Sequence, residues 1–220
     1  MANVLTIGDP HAPFTKAGYL EHCASVFDRY DCDRVVIIGD VLDNHYASYH
    51  ESDPDGLGAG EELDRAIETL ANWVAVFPSA VVTVGNHDRM ICRKAFSGGV
   101  PSRWLRDYSE VLNAPGWDFV DSIEIDGVLY QHGEGGGARA VAKREQISVV
   151  QGHRHQEAYV DHFVGRRSRL WGMQVGCGID RKSYALAYAK SGPKPALACG
   201  VVLDEGQLPI VAMMPLANDW

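Results

Sequence analysis

Val35-Val36-Ile37-Ile38-Gly39-Asp40-Val41-Leu42-Asp43 is the stretch on which the fold turns. Its first four residues are apolar, β-branched and unalternating, the pattern of a strand buried on both faces. The run stops at Gly-Asp. The same ending occurs upstream, where Val4-Leu5-Thr6-Ile7 leads into Gly8-Asp9, and again downstream, where Val81-Val82-Thr83-Val84 leads into Gly85-Asn86. Stretches with helical spacing separate the three. One covers roughly 16–30, with Leu20, Cys23, Val26 and Phe27, and the other roughly 61–76, with Leu63, Ile67, Leu70 and Val74. The order β-α-β-α-β predicts a parallel sheet with right-handed crossovers. Ligands of such sheets sit outside the carboxyl ends of the strands, where Asp9, Asp40 and Asn86 fall.

The second half reads differently. Ser102–Leu112 has the pattern of a short helix. Ile123–Ile125 and Val128–Gln131 flank Asp126-Gly127, a hairpin turn signal. Ala138–Glu145 reads as a basic helix, followed by a strand at Ser148–Gln151. Two more hairpins are predicted, Ala158–Val164 with Leu170–Val175 and Leu197–Leu203 with Leu208–Met214. Hairpins dominate, so a second, mixed or antiparallel sheet is expected here. No repeat or linker interrupts the pattern, and residues 1–220 read as one domain. Residues 44–60 form a polar segment too long for a simple connection, which marks it as functional or mobile.

Composition narrows the function. The 220 residues are 46% hydrophobic and 22% charged, which excludes wholesale disorder. A net charge of −9 argues against attachment to DNA or membrane by bulk charge. The charge is uneven: residues 139–194 hold 11 Lys and Arg against 4 Asp and Glu, a local +7 that can bind an anion. No run approaches the roughly 18 apolar residues that span a bilayer, and the N-terminus lacks a basic leader region. The 5 cysteines are odd in number and form no Cys-x-x-Cys pair, as expected of reduced thiols in a cytoplasmic protein.

Five short motifs occur in order: Asp9-Pro10-His11, Gly39-Asp40-Val41-Leu42-Asp43, Gly85-Asn86-His87-Asp88, His132-Gly133 and Gly152-His153-Arg154-His155. Asp-x-His alone means nothing. Gly-Asn-His-Asp, in contrast, is expected by chance only about 0.002 times in such a chain. Carboxylate oxygen and imidazole nitrogen suit borderline divalent metals such as manganese, iron or zinc, and the absence of Cys argues against a structural zinc site. Gly before a donor removes a side chain where metal and substrate must approach.

This ordered set resembles the calcineurin-like metallophosphoesterase superfamily over about residues 3–155. The resemblance implies an α/β fold, a four-layer α/β/β/α sandwich of two mixed sheets flanked by helices. It implies two divalent metal ions, manganese foremost, with iron, zinc, nickel or cobalt as alternatives. One would be held by Asp9, His11, Asp40 and His155, the other by Asp40, Asn86, His132 and His153, with Asp40 shared. His87 would be a general acid oriented by Asp43, and a hydroxide bridging the metals would attack phosphorus. The chemistry expected is metal-dependent phosphoester hydrolysis, with a nucleotide-type phosphodiester preferred. A small-molecule phosphomonoesterase and a DNA or RNA exonuclease acting on single strands are the alternatives. A non-catalytic scaffold is disfavoured because no ligand position is lost. Asn44 stands where the protein Ser/Thr phosphatase branch carries Arg, which argues against a phosphoprotein substrate.

The remaining candidates are substrate contacts. His45 and His50, with Tyr46 and Tyr49, follow Asp43 at the expected cleft edge. Arg89, Arg93 and Lys94 follow the Gly-Asn-His-Asp turn. Gly133–Gly137 reads as a connector, Glu51–Asp64 as an acidic solvated stretch, and Arg166, Arg167 and Arg169 as an exposed hairpin tip. Oligomeric state is left open by the sequence.

Overall fold

The computed structural model describes residues 2–48, 56–180, 182 and 194–215. Two sheets pack face to face. The first contains β1 (Val4–Ile7), β2 (Arg34–Ile37), β3 (Ala80–Thr83), β4 (Trp117–Val120), β10 (Ala198–Leu203) and β11 (Leu208–Met213), in the spatial order β11-β10-β1-β2-β3-β4. The second contains β5 (Ser122–Ile125), β6 (Val128–Gln131), β7 (Ser148–Gln151), β8 (Ala158–Val164) and β9 (Arg169–Val175), ordered β5-β6-β7-β9-β8. Strands β1 to β4 are parallel, and β10 joins β1 antiparallel. In the second sheet β6, β7 and β9 are parallel, edged by antiparallel β5 and β8.

Two-sided burial explains the unalternating apolar runs. Leu5, Ile7, Val35, Ile37 and Val82 face α1 (Tyr19–Arg29) and α2 (Ala59–Val76), meeting Tyr19, Val26, Leu70 and Trp73. Val4, Val36 and Ile38 point the other way, against Tyr130, Val150, Trp171 and Met173 of the second sheet. The outer face of that sheet places Val149 against Val141 and Ala142 of α5 (Ala138–Glu145). Each buried Val, Leu or Ile contributes about 1.5–3 kcal/mol relative to exposure. The result is the expected four-layer α/β/β/α sandwich of two mixed sheets.

The structure corrects several local expectations. Ser102–Leu112 is not one helix: a 3₁₀ turn, Ser102–Trp104, is separated by extended backbone at Leu105 from α4 (Tyr108–Val111). The helix α3 (Met90–Ser97) and the strand β4 are not among the elements predicted above; β4 exposes Asp118 and lacks an apolar run. The hairpin of β10 and β11 enters the first sheet, not the second. Within 44–60, His45–Ala47 forms a 3₁₀ turn and α2 begins at Ala59. His50, Tyr49 and Glu51–Asp55 lie outside the described residues. Asp126 and Gly127 do form the turn between β5 and β6, both at positive φ (49° and 70°), as a type I′ hairpin requires. Among the described residues, no helix is long and apolar enough to cross a membrane.

Candidate metal centre

Parallel strands deliver every motif to one seam between the sheets. Asp9 and His11 follow β1, Asp40 and Asp43 follow β2, and Asn86 and His87 follow β3. From the facing sheet, His132 follows β6, and His153 and His155 follow β7. Asp9, His11, Asp40 and His153 are all non-glycine residues at positive φ (33°, 50°, 44° and 66°). Such conformations cost free energy and persist only where the surroundings impose them; their clustering at one site is consistent with a functional centre.

The donor atoms form three overlapping groups, two that share Asp40 and a third, His11, Asp43 and His87, beside the first. In the first, Asp9, His11, Asp40 and His155 bring ligand atoms within 4.8 Å of one another. His11 Nδ1–H donates to Asp43 Oδ1 at 2.7 Å, so the neutral ring presents a bare Nε2. That nitrogen lies 3.0 Å from His155 Nε2, which is itself 3.2 Å from Asp9 Oδ2. Burial lowers the pKa of His11 despite the bond to Asp43, so the ring is neutral. In the second group, His132 Nδ1–H donates to the carbonyl of Ile38 at 2.8 Å. Its Nε2 then faces Asn86 Oδ1 at 2.9 Å, Asp40 Oδ2 at 3.2 Å and His153 Nδ1 at 3.2 Å. Asp9 Oδ1 is buried with no hydrogen-bond donor among the described residues. Lone pairs and carboxylate oxygens thus converge without enough protons to bridge them. A buried array of this kind fits divalent cations.

The electrostatics agree. Burial alone would lower the pKa of His132, but the charge of Asp40 and the bond to it push it up to about 10. Burial would raise Asp40, yet the charge of His132 holds it well below the usual carboxylate range. Without metal, a proton on His132 supplies the missing positive charge. A raised value means the native state binds that proton more tightly than the unfolded chain. Its stabilisation is complete below pH 6.5, the unperturbed value, and is lost as pH rises toward about 10. The metal-free protein is therefore expected to melt at lower temperature across that window. Metal loading at pH 8 is expected to release a proton, readable by calorimetry in buffers of different ionisation enthalpy. Equal heats in both buffers would contradict it.

Glycine is needed at the seam because the loops approach one another too closely for a side chain. A Cβ on Gly85 would lie 2.1 Å from Asp40 Oδ1, one on Gly152 2.1 Å from Asp9 Oδ1, and one on Gly39 2.7 Å from His132 Nδ1. The space saved is for neighbouring donor side chains rather than for substrate. Gly85→Ala is expected to cost about 1–3 kcal/mol of stability through overpacking. It should also weaken metal binding by roughly 10–100-fold, the usual effect of disturbing a ligand's support. Gly135→Ala, which meets nothing within 4 Å, should change neither. Denaturant unfolding and metal titration check both variants.

Other residues fall where the sequence reading did not put them. Asp43 does not orient His87 through its carboxylate, which is committed to His11; its backbone carbonyl accepts the hydrogen bond from His87 Nδ1 instead. Asn44 Nδ2 donates to the His87 carbonyl at 2.9 Å. Arg89 is held by Glu134 at 2.6 Å and Asp121 at 3.1 Å, and both its partners are carboxylates of the chain itself. His45 is buried, its turn pinned by Glu62, which accepts from the His45 backbone N–H at 2.7 Å. Arg93 lies exposed on α3. Sequence reasoning assigned no role to Asp88. Its buried carboxylate accepts from Leu42 N at 3.0 Å and Gly85 N at 2.9 Å, tying two donor loops together. Burial and the charge of Asp40 push it up to about 6. Its place inside Gly-Asn-His-Asp was the available signal.

Fold and donor set together define a metal-dependent phosphoester hydrolase. A family model for calcineurin-like phosphoesterases matches residues 2–174, and the chain belongs to that family. Among solved structures it is similar to the phosphoesterase Yfce from E. coli, with 14% identity, TM-score 0.44, and 92% of this chain and 88% of that one covered. It is similar to Vacuolar Protein Sorting 29 from Cryptosporidium parvum, with 15% identity, TM-score 0.45, and 99% and 98% covered. A third likeness is to the nuclease MPE from Pseudomonas putida, with 19% identity, TM-score 0.45, and 96% and 87% covered. No curated protein matches the chain.

Proposed function

We propose that this chain is a binuclear-metal phosphodiesterase acting, as a single domain, on a nucleotide-type phosphodiester. The observation that carries the reading is that the two donor groups share Asp40. Asp9, His11, Asp40 and His155 would hold one cation; Asp40, Asn86, His132 and His153 would hold the other, and manganese suits both sets. Such a pair supplies an activated water, an anchor for phosphoryl oxygens and positive charge against the charge developing there.

The chain's own residues supply orientation and the proton. Asp43 and the Ile38 carbonyl fix the tautomers of His11 and His132, so that each ring turns Nε2 inward. His87 gives its Nδ1–H to the Asp43 carbonyl, which leaves Nε2 to exchange a proton. Burial would lower the His87 pKa, but the charges of Asp40 and Asp43 outweigh it and raise the value. A ring that keeps its proton near neutrality can donate it to a departing alkoxide, such as a sugar oxygen. The five cysteines are free thiols, which suits a reducing compartment such as the cytoplasm.

With manganese added, bis-p-nitrophenyl phosphate is expected to turn over faster than p-nitrophenyl phosphate, and a chelator should abolish both activities. A clear preference for the monoester would replace the diesterase reading with a phosphomonoesterase.

A further inference from the structure

Residues 89–106, Arg-Met-Ile-Cys-Arg-Lys-Ala-Phe-Ser-Gly-Gly-Val-Pro-Ser-Arg-Trp-Leu-Arg, play no part in the donor set, yet they grow directly out of it. Helix α3 starts next to the loop that carries Asn86 and His87. At its end, Gly98 N–H donates to Lys94 O and Val100 N–H to Ala95 O, turning the chain back into the 3₁₀ turn at Ser102–Trp104. The far end returns to the same loop: Tyr108 Oη donates to Asp88 O at 3.1 Å, and its ring stacks on Phe119 at 5.1 Å. The segment is therefore a small lobe tethered at both ends beside His87.

The surface of this lobe is unusual for a protein of net charge −9. It carries five basic residues, Arg89, Arg93, Lys94, Arg103 and Arg106, and no acid of its own, although Arg89 is held by Asp121 and Glu134 and Arg106 lies 3.7 Å from Glu110. Between them stand Phe96, 85% exposed, and Trp104, 76% exposed, the two most exposed aromatic side chains among the described residues. Ile91 is 47% exposed and lines one cavity with Tyr46, Asn44 and Leu42, so the apolar surface runs back toward the donor loops. Exposed aromatic rings gain nothing in water. Rings interleaved with cations match a ligand that offers flat apolar faces on a negatively charged thread, which is single-stranded nucleic acid. A protein partner would have to bring acids and apolar pockets separately, whereas a single strand carries negative charge and flat faces at every residue.

We infer that this lobe is a stacking platform for a single-stranded DNA or RNA segment flanking the phosphodiester to be cleaved, with bases against Phe96 and Trp104 and phosphates near Arg103. The inference names the substrate of the diesterase reading and rests on it for cleavage, but binding can be tested separately. The probe is a fluorescent 12-nucleotide oligothymidylate, titrated into the full chain with manganese and followed by anisotropy at two salt concentrations. Bis-p-nitrophenyl phosphate turnover is measured in parallel.

The double variant Phe96→Ala with Trp104→Ala is expected to weaken binding at least about 10-fold. It should raise KM for the oligonucleotide and leave turnover of the small diester and the melting temperature unchanged. Arg103→Ala should make the dependence of affinity on salt shallower by about one unit of logarithmic slope. Failure of the wild type to bind the oligonucleotide would overturn the inference, as would unchanged binding in the double variant. So would a change in sedimentation from dimer to monomer with oligonucleotide affinity intact, which would make the lobe an interface between copies. Loss of small-diester activity in the wild type with oligonucleotide binding intact would sink the diesterase reading and leave the platform standing.

Discussion

Asp40→Asn is expected to empty both donor groups at once and reduce turnover by about 10³-fold or more, the scale of removing a preorganised electrostatic partner from a water-excluded site. Asp40 is the residue common to both groups, and its Oδ2 lies 3.2 Å from His132 Nε2. Its Oδ1 accepts the His87 backbone N–H at 2.8 Å, a bond an asparagine oxygen can keep. The change therefore removes charge more than shape. With that charge gone, the force that pushes His132 up to about 10 also goes, so a proton no longer substitutes for metal. Asn86→Ala and His155→Ala each touch one group and should each release one ion while retaining the other. Metal content by mass spectrometry, read beside activity and circular dichroism, checks the set. Full activity in Asp40→Asn, or unchanged metal content in all three variants, would end the shared-carboxylate proposal.

His87→Asn is expected to separate substrates by leaving group. Bis-p-nitrophenyl phosphate releases a stable phenolate and should lose little. Diesters of alkyl alcohols need a proton on the departing oxygen and should slow by about 10²–10⁴-fold. The two classes should differ because His87 stands beside His11 and Asp43, its ring centroid 4.8 Å from that of His11, but belongs to neither of the two groups that share Asp40. Metal content should stay at the wild-type level. The acidic limb of the pH–rate profile should be unchanged, and the basic limb for alkyl esters should disappear, since the raised pKa of His87 sets where its proton is lost. Equal losses on both substrates would remove His87 from the acid role.

Much of this arrangement was readable in one dimension because its physics is local. A strand buried on both faces must be apolar at every position, so Val35–Ile38 announces a central strand by itself. A parallel strand ends at a loop that must hold polar groups, so Asp9, Asp40 and Asn86 announce the side on which chemistry lies. The type I′ turn at Asp126-Gly127 requires two residues that tolerate positive φ. In contrast, β4 has an edge position and a half-exposed pattern, and its place is set by pairing with β3 through Ala80 to Thr83. Similarly, nothing within Leu197–Met214 distinguishes the edge of one sheet from the edge of the other. Its partner is chosen by the free side of β1.

At the centre itself the sequence alone determined which residue types were present, in what order, and at which ends of which strands. Those are properties of short segments. Only the tertiary structure decided that Asp43 serves His11 and offers His87 a carbonyl, that Asp88 ties two loops, that Arg89 is spent on Asp121 and Glu134, and that Phe96 and Trp104 are left exposed to solvent. Each of these depends on groups far apart in the chain meeting at hydrogen-bond or contact distance. A hydrogen bond or an ion pair is governed by separation in space, which spacing along the chain does not encode.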